Sequence, residues 1–251
     1  MGINWNPFSL EGKRILVTGA SSGIGLSTAI EAAKLGAHIV LVARNESRLN
    51  DTFNALPGEC HSIISADLTD ETAINRVVDE CGMLDGAVFC AGKGLTLPLQ
   101  FSDRARFDDV FNINFFSPAE LLRLLYKKKK LTKGASVVLI SSMGGTRVFS
   151  GGNSIYGASK AALDSFMKFA AKEFAARNVR VNSICPAMID TPLIHRGTIS
   201  DQQLAEDAKR YPLKRYGRPE DVAYAAVYLL SPASAWVTGT SMIIDGGLSI
   251  S

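Results

Sequence analysis

Short apolar runs rich in β-branched residues alternate along this chain with longer stretches in which apolar residues recur every three or four positions. RILVTG opens the series, followed by helical spacing from about Ile24 to Leu35, the run AHIVLVAR and a helix near Ser47 to Leu56. HSIISAD, a helix over about 70–81, LDGAVFCAG, a long helix over about 104–129 and ASVVLISS continue it. A helix carrying Tyr156, the run VRVNSICP, an irregular stretch, the helix RPEDVAYAAVYLLS and a last strand, TSMIIDGG, complete it. The punctuation predicts seven strands and six main helices in βαβ order. Runs such as ILV, IVLV and SVVLIS are apolar on both faces, as parallel strands must be when helices cover the sheet above and below. The expected architecture is α/β: one domain over 1–251 with an open, doubly wound, seven-stranded parallel sheet. Such sheets bind ligands beyond the carboxyl ends of their strands, so the chemistry belongs just after strands.

Composition narrows the function classes. With 251 residues, 47% of them hydrophobic, the chain can bury a full core. A formal net charge of only +3, with both signs interspersed, gives no basic field for nucleic acid, which is excluded as an expected partner. Cys60, Cys81, Cys90 and Cys185 are scattered, without a CxxC pair or a His/Cys cluster; neither disulfides nor a metal site is expected, and the thiols point to a cytoplasmic protein. No run approaches the roughly 20 apolar residues of a membrane span.

Two stretches carry candidate chemistry. TGASSGIG places Gly19, Gly23 and Gly25 between the first strand and the first helix, with Ser21, Ser22 and Ile24 among them. Missing side chains let a pyrophosphate approach the backbone, and the new helix offers its unpaired N–H groups and positive dipole end. After the second strand, where an acid would favour the ribose 2'-hydroxyl of NAD, the chain has Arg44, with Asn45 and Ser47 beside it. A guanidinium grips phosphate through two parallel bonds, so the expected cofactor is NADP(H). In SIYGASKAAL, Tyr156 and Lys160 stand one helical turn apart and rise from one face. At about 5 Å and an effective dielectric near 20, the ammonium would favour phenolate by roughly 3 kcal/mol, or about 2 pKa units.

Taken together, these residues resemble the short-chain dehydrogenase/reductase family from Leu10 to the end. The shared marks are TGASSGIG, ADL at 66–68, AG at 91–92, NIN at 112–114, ISS at 140–142, YGASK at 156–160, the proline and threonine of PAMIDT at 186–191 and IDGG at 244–247. The resemblance implies a Rossmann sheet ordered 3-2-1-4-5-6-7 and NAD(P)(H)-dependent carbonyl or alcohol chemistry. It carries the family's catalytic serine onto Ser142, with Ser141 as rival, its asparagine onto Asn114, with Asn112 as rival, and its tyrosine and lysine onto Tyr156 and Lys160. By the same resemblance Asp67, Leu68, Ala91, Gly92, Pro186, Ile189 and Thr191 join the cofactor contacts. Phe89 and Cys90 stand where the family often has two asparagines, which puts some sheet-stabilising bonds in question. Tyr156 would exchange the proton, Ser142 would bond the carbonyl oxygen, Lys160 would also bond the nicotinamide ribose, and Asn114 would hold a water that refills the relay.

The segment 188–217 reads as a substrate loop, with Met143, Phe149 and Ile155 as further candidate pocket residues, while His195 is assigned no role. The implied substrate is a 3-oxoacyl thioester first, then a sugar, polyol, steroid or other small ketone. Lys133 and Arg177 match positions where reductases of the family meet an acyl carrier protein. Leucines 121, 122, 124 and 125, with Phe166, Phe169 and Phe174, exceed what one sheet face needs; such helices pair between subunits across the family, so the resemblance implies a homodimer or homotetramer. The rival from another class is a non-catalytic protein that binds NADP(H) as a signal.

Overall fold

The computed structural model describes residues 6–196 and 200–250; residues 197–199 of the expected substrate loop lie outside the described residues. Seven parallel strands form one sheet: β1 (Arg14–Thr18), β2 (His38–Ala43), β3 (Ser62–Ser65), β4 (Leu84–Phe89), β5 (Leu131–Ile140), β6 (Arg180–Pro186) and β7 (Ser241–Ile244). Their order, β3-β2-β1-β4-β5-β6-β7, is the one implied above. Alternate residues of each strand feed two cores. Leu16, Val40 and Val137 point to one, Ile15, Val17, Ile39 and Val138 to the other. The helices α1 (Gly23–Lys34), α2 (Glu46–Ala55) and α8 (Pro219–Leu230) cover the second face; α3 (Glu71–Glu80), α5 (Ser117–Lys127) and α6 (Ser154–Phe174) cover the first. Each fully buried Leu or Ile contributes about 1.5–3 kcal/mol, so both faces are needed to fix the sheet. Among the described residues no helix is long and apolar enough to cross a membrane.

Three elements differ from the expectation. First, β5 begins at Leu131 rather than near Ala135, its extra residues pairing at the start of β4 across a register shift between Leu84 and Gly86. Second, the segment read as irregular contains α7 (Asp201–Ala208), opened by a capping box between Ser200 and Gln203. Third, the helix expected over 104–129 is two helices, α4 (Arg104–Phe111) and α5, joined by a π-helical turn over Asn112–Phe116. Pro118 supplies the reason. It has no N–H for the carbonyl of Asn114 four residues earlier, so regular α-helical bonding cannot continue there. The turn holds Asn114.

Candidate active site

The strand order reverses between β1 and β4, and their carboxyl ends meet within backbone contact. A Cβ on Gly19 would lie 2.8 Å from the Ala91 amide nitrogen, and Gly19 itself has φ +65°. The hydroxyl of Thr18 accepts from the Cys90 and Ala91 amides at 3.1 and 3.2 Å. That pair of bonds holds the β4 end although Phe89 and Cys90 replace asparagines. A Cβ on Gly25 would lie 2.3 Å from the Gly19 carbonyl oxygen, and one on Gly23 would lie 3.2 Å from the Thr191 methyl. Ser22, the N-cap residue of α1, makes no side-chain cap bond. The turn therefore keeps the space and the donors that a pyrophosphate uses, with Ser21 and Ser22 lining the groove beside it and Ile24 packed on the core.

The remaining expected cofactor residues follow the strand ends. Arg44, just past β2, sits 3.6 Å from the Asp67 carboxylate and is largely exposed. Burial pushes the Asp67 carboxyl up, but bonds from the Thr69 amide and hydroxyl and the Arg44 charge bring it below its ordinary value. Asn45 is spent as the cap of α2, its side-chain oxygen accepting from the Arg48 amide at 2.9 Å. Leu68 and Ile189 are buried in the core, which leaves them only their backbones to offer a ligand. The Pro186 carbonyl accepts from the Met143 amide at 3.0 Å, tying the end of β6 to the serine loop.

Around Gly92 and Gly144 the four expected catalytic residues come together. A Cβ on Gly92 would lie 3.0 Å from Asn114 Oδ1 and 3.4 Å from Lys160 Nζ. One on Gly144 would lie 3.4 Å from Ser142 Oγ and 3.7 Å from the Tyr156 ring. Ser142 Oγ accepts from the Gly144 amide at 3.0 Å, beside the Tyr156 ring. Ser141, its neighbour, points the other way, its buried hydroxyl donating to the Lys160 carbonyl at 2.9 Å. Likewise Asn114 is buried beside Lys160, while Asn112 lines a groove between α5 and α6. The Asn114 amide nitrogen donates to the Lys93 carbonyl and the Ser159 hydroxyl, both at 3.0 Å, and its oxygen accepts from the Lys93 amide at 2.9 Å. The side chain is thus fully committed, and Pro118 removes the donor that an α-helix would offer the Asn114 carbonyl.

The pairing of tyrosine and lysine differs from the expectation. Lys160 is buried, and a buried ammonium must find an acceptor. It donates to the Ile140 carbonyl at 2.8 Å. Burial pushes it down to about 8, the Cys90 and Cys185 thiols acting in the opposite sense. Burial also pushes the Tyr156 phenol up, with Ser142 acting in the opposite sense. The phenol thus stands above its ordinary value, where the helical spacing predicted a lowering. An ammonium has three donors, and Ile140 takes one.

Other candidates disperse. Met143 and Ile155 are buried and pack, whereas Phe149 is exposed. Arg177 donates to the Leu131 carbonyl at 2.9 Å and lies over the Tyr126 ring. It follows the C-terminal end of α6, whose 21 residues span roughly 30 Å. Neither it nor Lys133, at the amino end of β5, can flank the mouth of its own chain's site. Near the glycine turn stand Arg48, which the sequence reading passed over, and His195, to which it gave no role. Arg48 and His195 line one groove with Ser21, Ser22 and Gly23, His195 Nε2 lying 2.7 Å from Asp190 Oδ1. For Arg48 a signal existed: a cation in the first turn of α2 opposes the helix dipole.

Comparison with known proteins agrees with this layout. A family model described as enoyl-(acyl carrier protein) reductase matches residues 19–249. A 3-oxoacyl-[acyl-carrier-protein] reductase of Thermotoga maritima is 33% identical over 96% of this chain and 99% of its own. A tropinone reductase homolog of Arabidopsis thaliana is 32% identical over 97% and 92%. Among solved structures, a dehydrogenase/reductase from Sinorhizobium meliloti superposes with a TM-score of 0.87 at 33% identity, covering 96% of this chain and 97% of that one. A short-chain dehydrogenase/reductase family protein does so at 0.84 and 32%, covering 96% and 100%. A sheet of this order, the glycine turn and matches over nearly the whole length place the chain in the short-chain dehydrogenase/reductase family of oxidoreductases.

Proposed function

We propose that this protein is an NADP(H)-dependent oxidoreductase that interconverts a carbonyl and a secondary alcohol, with Tyr156 as its proton donor and acceptor. The observation that supports it most is the meeting of Ser142, Tyr156, Lys160 and Asn114 around Gly92 and Gly144, next to the glycine turn. The cofactor, when bound, supplies or takes the hydride. Gly19, Ser21, Ser22, Gly23, Ile24 and Gly25 would hold its pyrophosphate, Asp67 and Leu68 its adenine end, and Arg44 with Arg48 its 2'-phosphate. Ala91, Gly92, Pro186, Ile189 and Thr191 would border its nicotinamide half.

Tyr156 meets the carbonyl oxygen as a neutral acid, because burial keeps its proton on at neutral pH. Ser142, fixed by the Gly144 amide, donates a second hydrogen bond to that oxygen as charge develops. Lys160 keeps one bond to Ile140 and turns its other donors to the cofactor ribose and to a water on the Asn114 carbonyl, which returns a proton to Tyr156.

The first substrate to test is a 3-oxoacyl thioester. Because Lys133 and Arg177 lie at the far end of α6, a carrier protein would meet them only where a second copy joins through the α5–α6 face, on which Phe116 and Phe169 are exposed.

NADPH oxidation against a panel of ketones and 3-oxoacyl thioesters checks the reading, with Tyr156→Phe alongside. Turnover should fall by about 10²–10⁴-fold in the variant while NADPH affinity holds. Normal turnover in Tyr156→Phe refutes the role, and silence across the panel with NADPH still bound favours the sensor.

A further inference from the structure

Three segments converge on the mouth above Tyr156. The chain leaving β4 passes beside the start of α6: the Leu97 amide donates to the Gly152 carbonyl at 2.7 Å, and a Cβ on Gly152 would touch the Thr96 methyl at 3.3 Å. On its other side a Cβ on Gly94 would lie 3.8 Å from Leu193, which belongs to the loop after β6. Gly152 is four residues before Tyr156, and Gly92, at the root of the first segment, faces Lys160.

These walls are apolar where they meet water. Leu99 is 68% exposed, Phe101 58%, Phe149 80% and Leu193 42%, with Leu95 and Leu97 half-buried between them and the site. Residues 94–102 contain no charged side chain, and neither do residues 148–159. Of the charges nearest these segments, Lys93 pairs with Asp109 and Asp190 with His195, Asp103 caps α4, and Arg147 is exposed beside Val148. Large side chains held out in water around one opening, rather than singly over the surface, mark a surface that something apolar covers. A polyhydroxylated substrate would need donors and acceptors aimed at it, whereas Leu99, Phe101 and Phe149 stand largely in water here, with Thr96, Gln100 and Ser150 the polar side chains among them.

We infer that the substrate is a ketone on a hydrocarbon body of about six carbons or more, seated on the rim of Leu95, Leu97, Leu99, Phe101, Phe149 and Leu193, and not a sugar or polyol. This rests on the carbonyl-reductase reading above and narrows its substrate. The body is either the alkyl chain of an acyl thioester or the carbon skeleton of a free ketone; both present the same surface.

The test is a series: 3-oxoacyl N-acetylcysteamine thioesters from four to twelve carbons, unbranched and alicyclic free ketones of matching size, and a ketopentose, each with NADPH. With about 0.8 kcal/mol per buried methylene, kcat/KM should rise about fourfold per added carbon until the rim is covered. The ketopentose should be the poorest substrate. A rise confined to thioesters assigns the acyl source, and one confined to free ketones the other. In Phe149→Ser and Leu99→Ser the rise per carbon should shrink, with NADPH affinity as the check on folding. A flat series, or a ketopentose turned over better than every hydrocarbon ketone, overturns the inference and leaves the enzyme standing. No turnover of any member removes both. If the serine variants alter only the sedimentation of the protein and not the slope, the rim belongs to a second copy and the inference fails.

Discussion

The two sides of the cleft are built on different plans. On the cofactor side, backbone lies against backbone: Gly19 meets Ala91, Gly25 meets the Gly19 carbonyl, and a methyl group has no room. On the substrate side, Gly151 has nothing within 4 Å of where a Cβ would stand, and Phe149 nearby is almost wholly in solvent. One side is specified to a fraction of an ångström by main chain, the other loosely by side chains. The first suits a ligand that never changes. The second suits one that differs between relatives with one fold.

The contrast is tested most severely by one substitution on each side. Gly25→Ala brings a Cβ to 2.3 Å from a backbone oxygen that cannot turn away. Overpacking of this kind costs about 3 kcal/mol or more, and the displaced turn should lose most NADPH affinity. Gly151→Ala should stay within about 0.5 kcal/mol of the parent and bind NADPH equally well. Thermal unfolding and cofactor titration of the two variants decide it; equal effects would erase the distinction.

Lys160 stands on the seam, and its test concerns pH. Its pKa is about 8 in the fold against 10.5 for the free side chain, so between those values the unfolded chain binds more protons than the native one. Stability contributed by this residue therefore rises with pH through that window. Below it, burying the charge weakens the fold by on the order of 3 kcal/mol. Relative to Lys160→Met, which carries no charge to bury, the parent should gain about that much between pH 7 and 10.5. Denaturant titrations at several pH values measure the difference, and parallel profiles for the two proteins would show that the lysine is not held under strain. The same lysine should lose its charge above about pH 8, and with it the relay to Tyr156.

How much of this was legible in the sequence follows the same division. Apolar runs located every strand, because burial on both faces leaves few alternatives, and the glycine turn was readable because backbone contact demands glycine. The choice of Ser142 over Ser141 leaned on the family resemblance, since strand alternation says only that they differ; the Ser141 hydroxyl is spent on the Lys160 carbonyl. The π turn at Asn114 was missed although Pro118 advertises it, because apolar periodicity runs on through 104–129 and conceals a lost hydrogen bond. Lys160 bonding Ile140 could not be foreseen either. Spacing along a helix places two side chains on one face but says nothing about a carbonyl 20 residues away that competes for one of them.

The smallest effect tests the outer edge of the cofactor side, where main-chain specification gives way to exposed side chains. Arg44 is largely in solvent, its only ion pair among the described residues is a 3.6 Å approach to Asp67, and its backbone carbonyl accepts from the Ser65 hydroxyl at 3.5 Å. A guanidinium so loosely held can turn to a 2'-phosphate at little cost, and Arg48 stands one helical turn further on to share the charge. Hydrogen bonds to charged groups contribute about 1.5–3 kcal/mol, so Arg44→Asp should cut the preference for NADPH over NADH by about 10- to 150-fold. The fold should not notice, since exposed ion pairs contribute about 0–1 kcal/mol. Comparing kcat/KM for the two cofactors in parent and variant measures the change. If the parent uses NADH as well as NADPH, or Arg44→Asp leaves the ratio where it was, then the rigid glycine turn alone sets cofactor affinity and the exposed edge of this side contributes nothing to the choice.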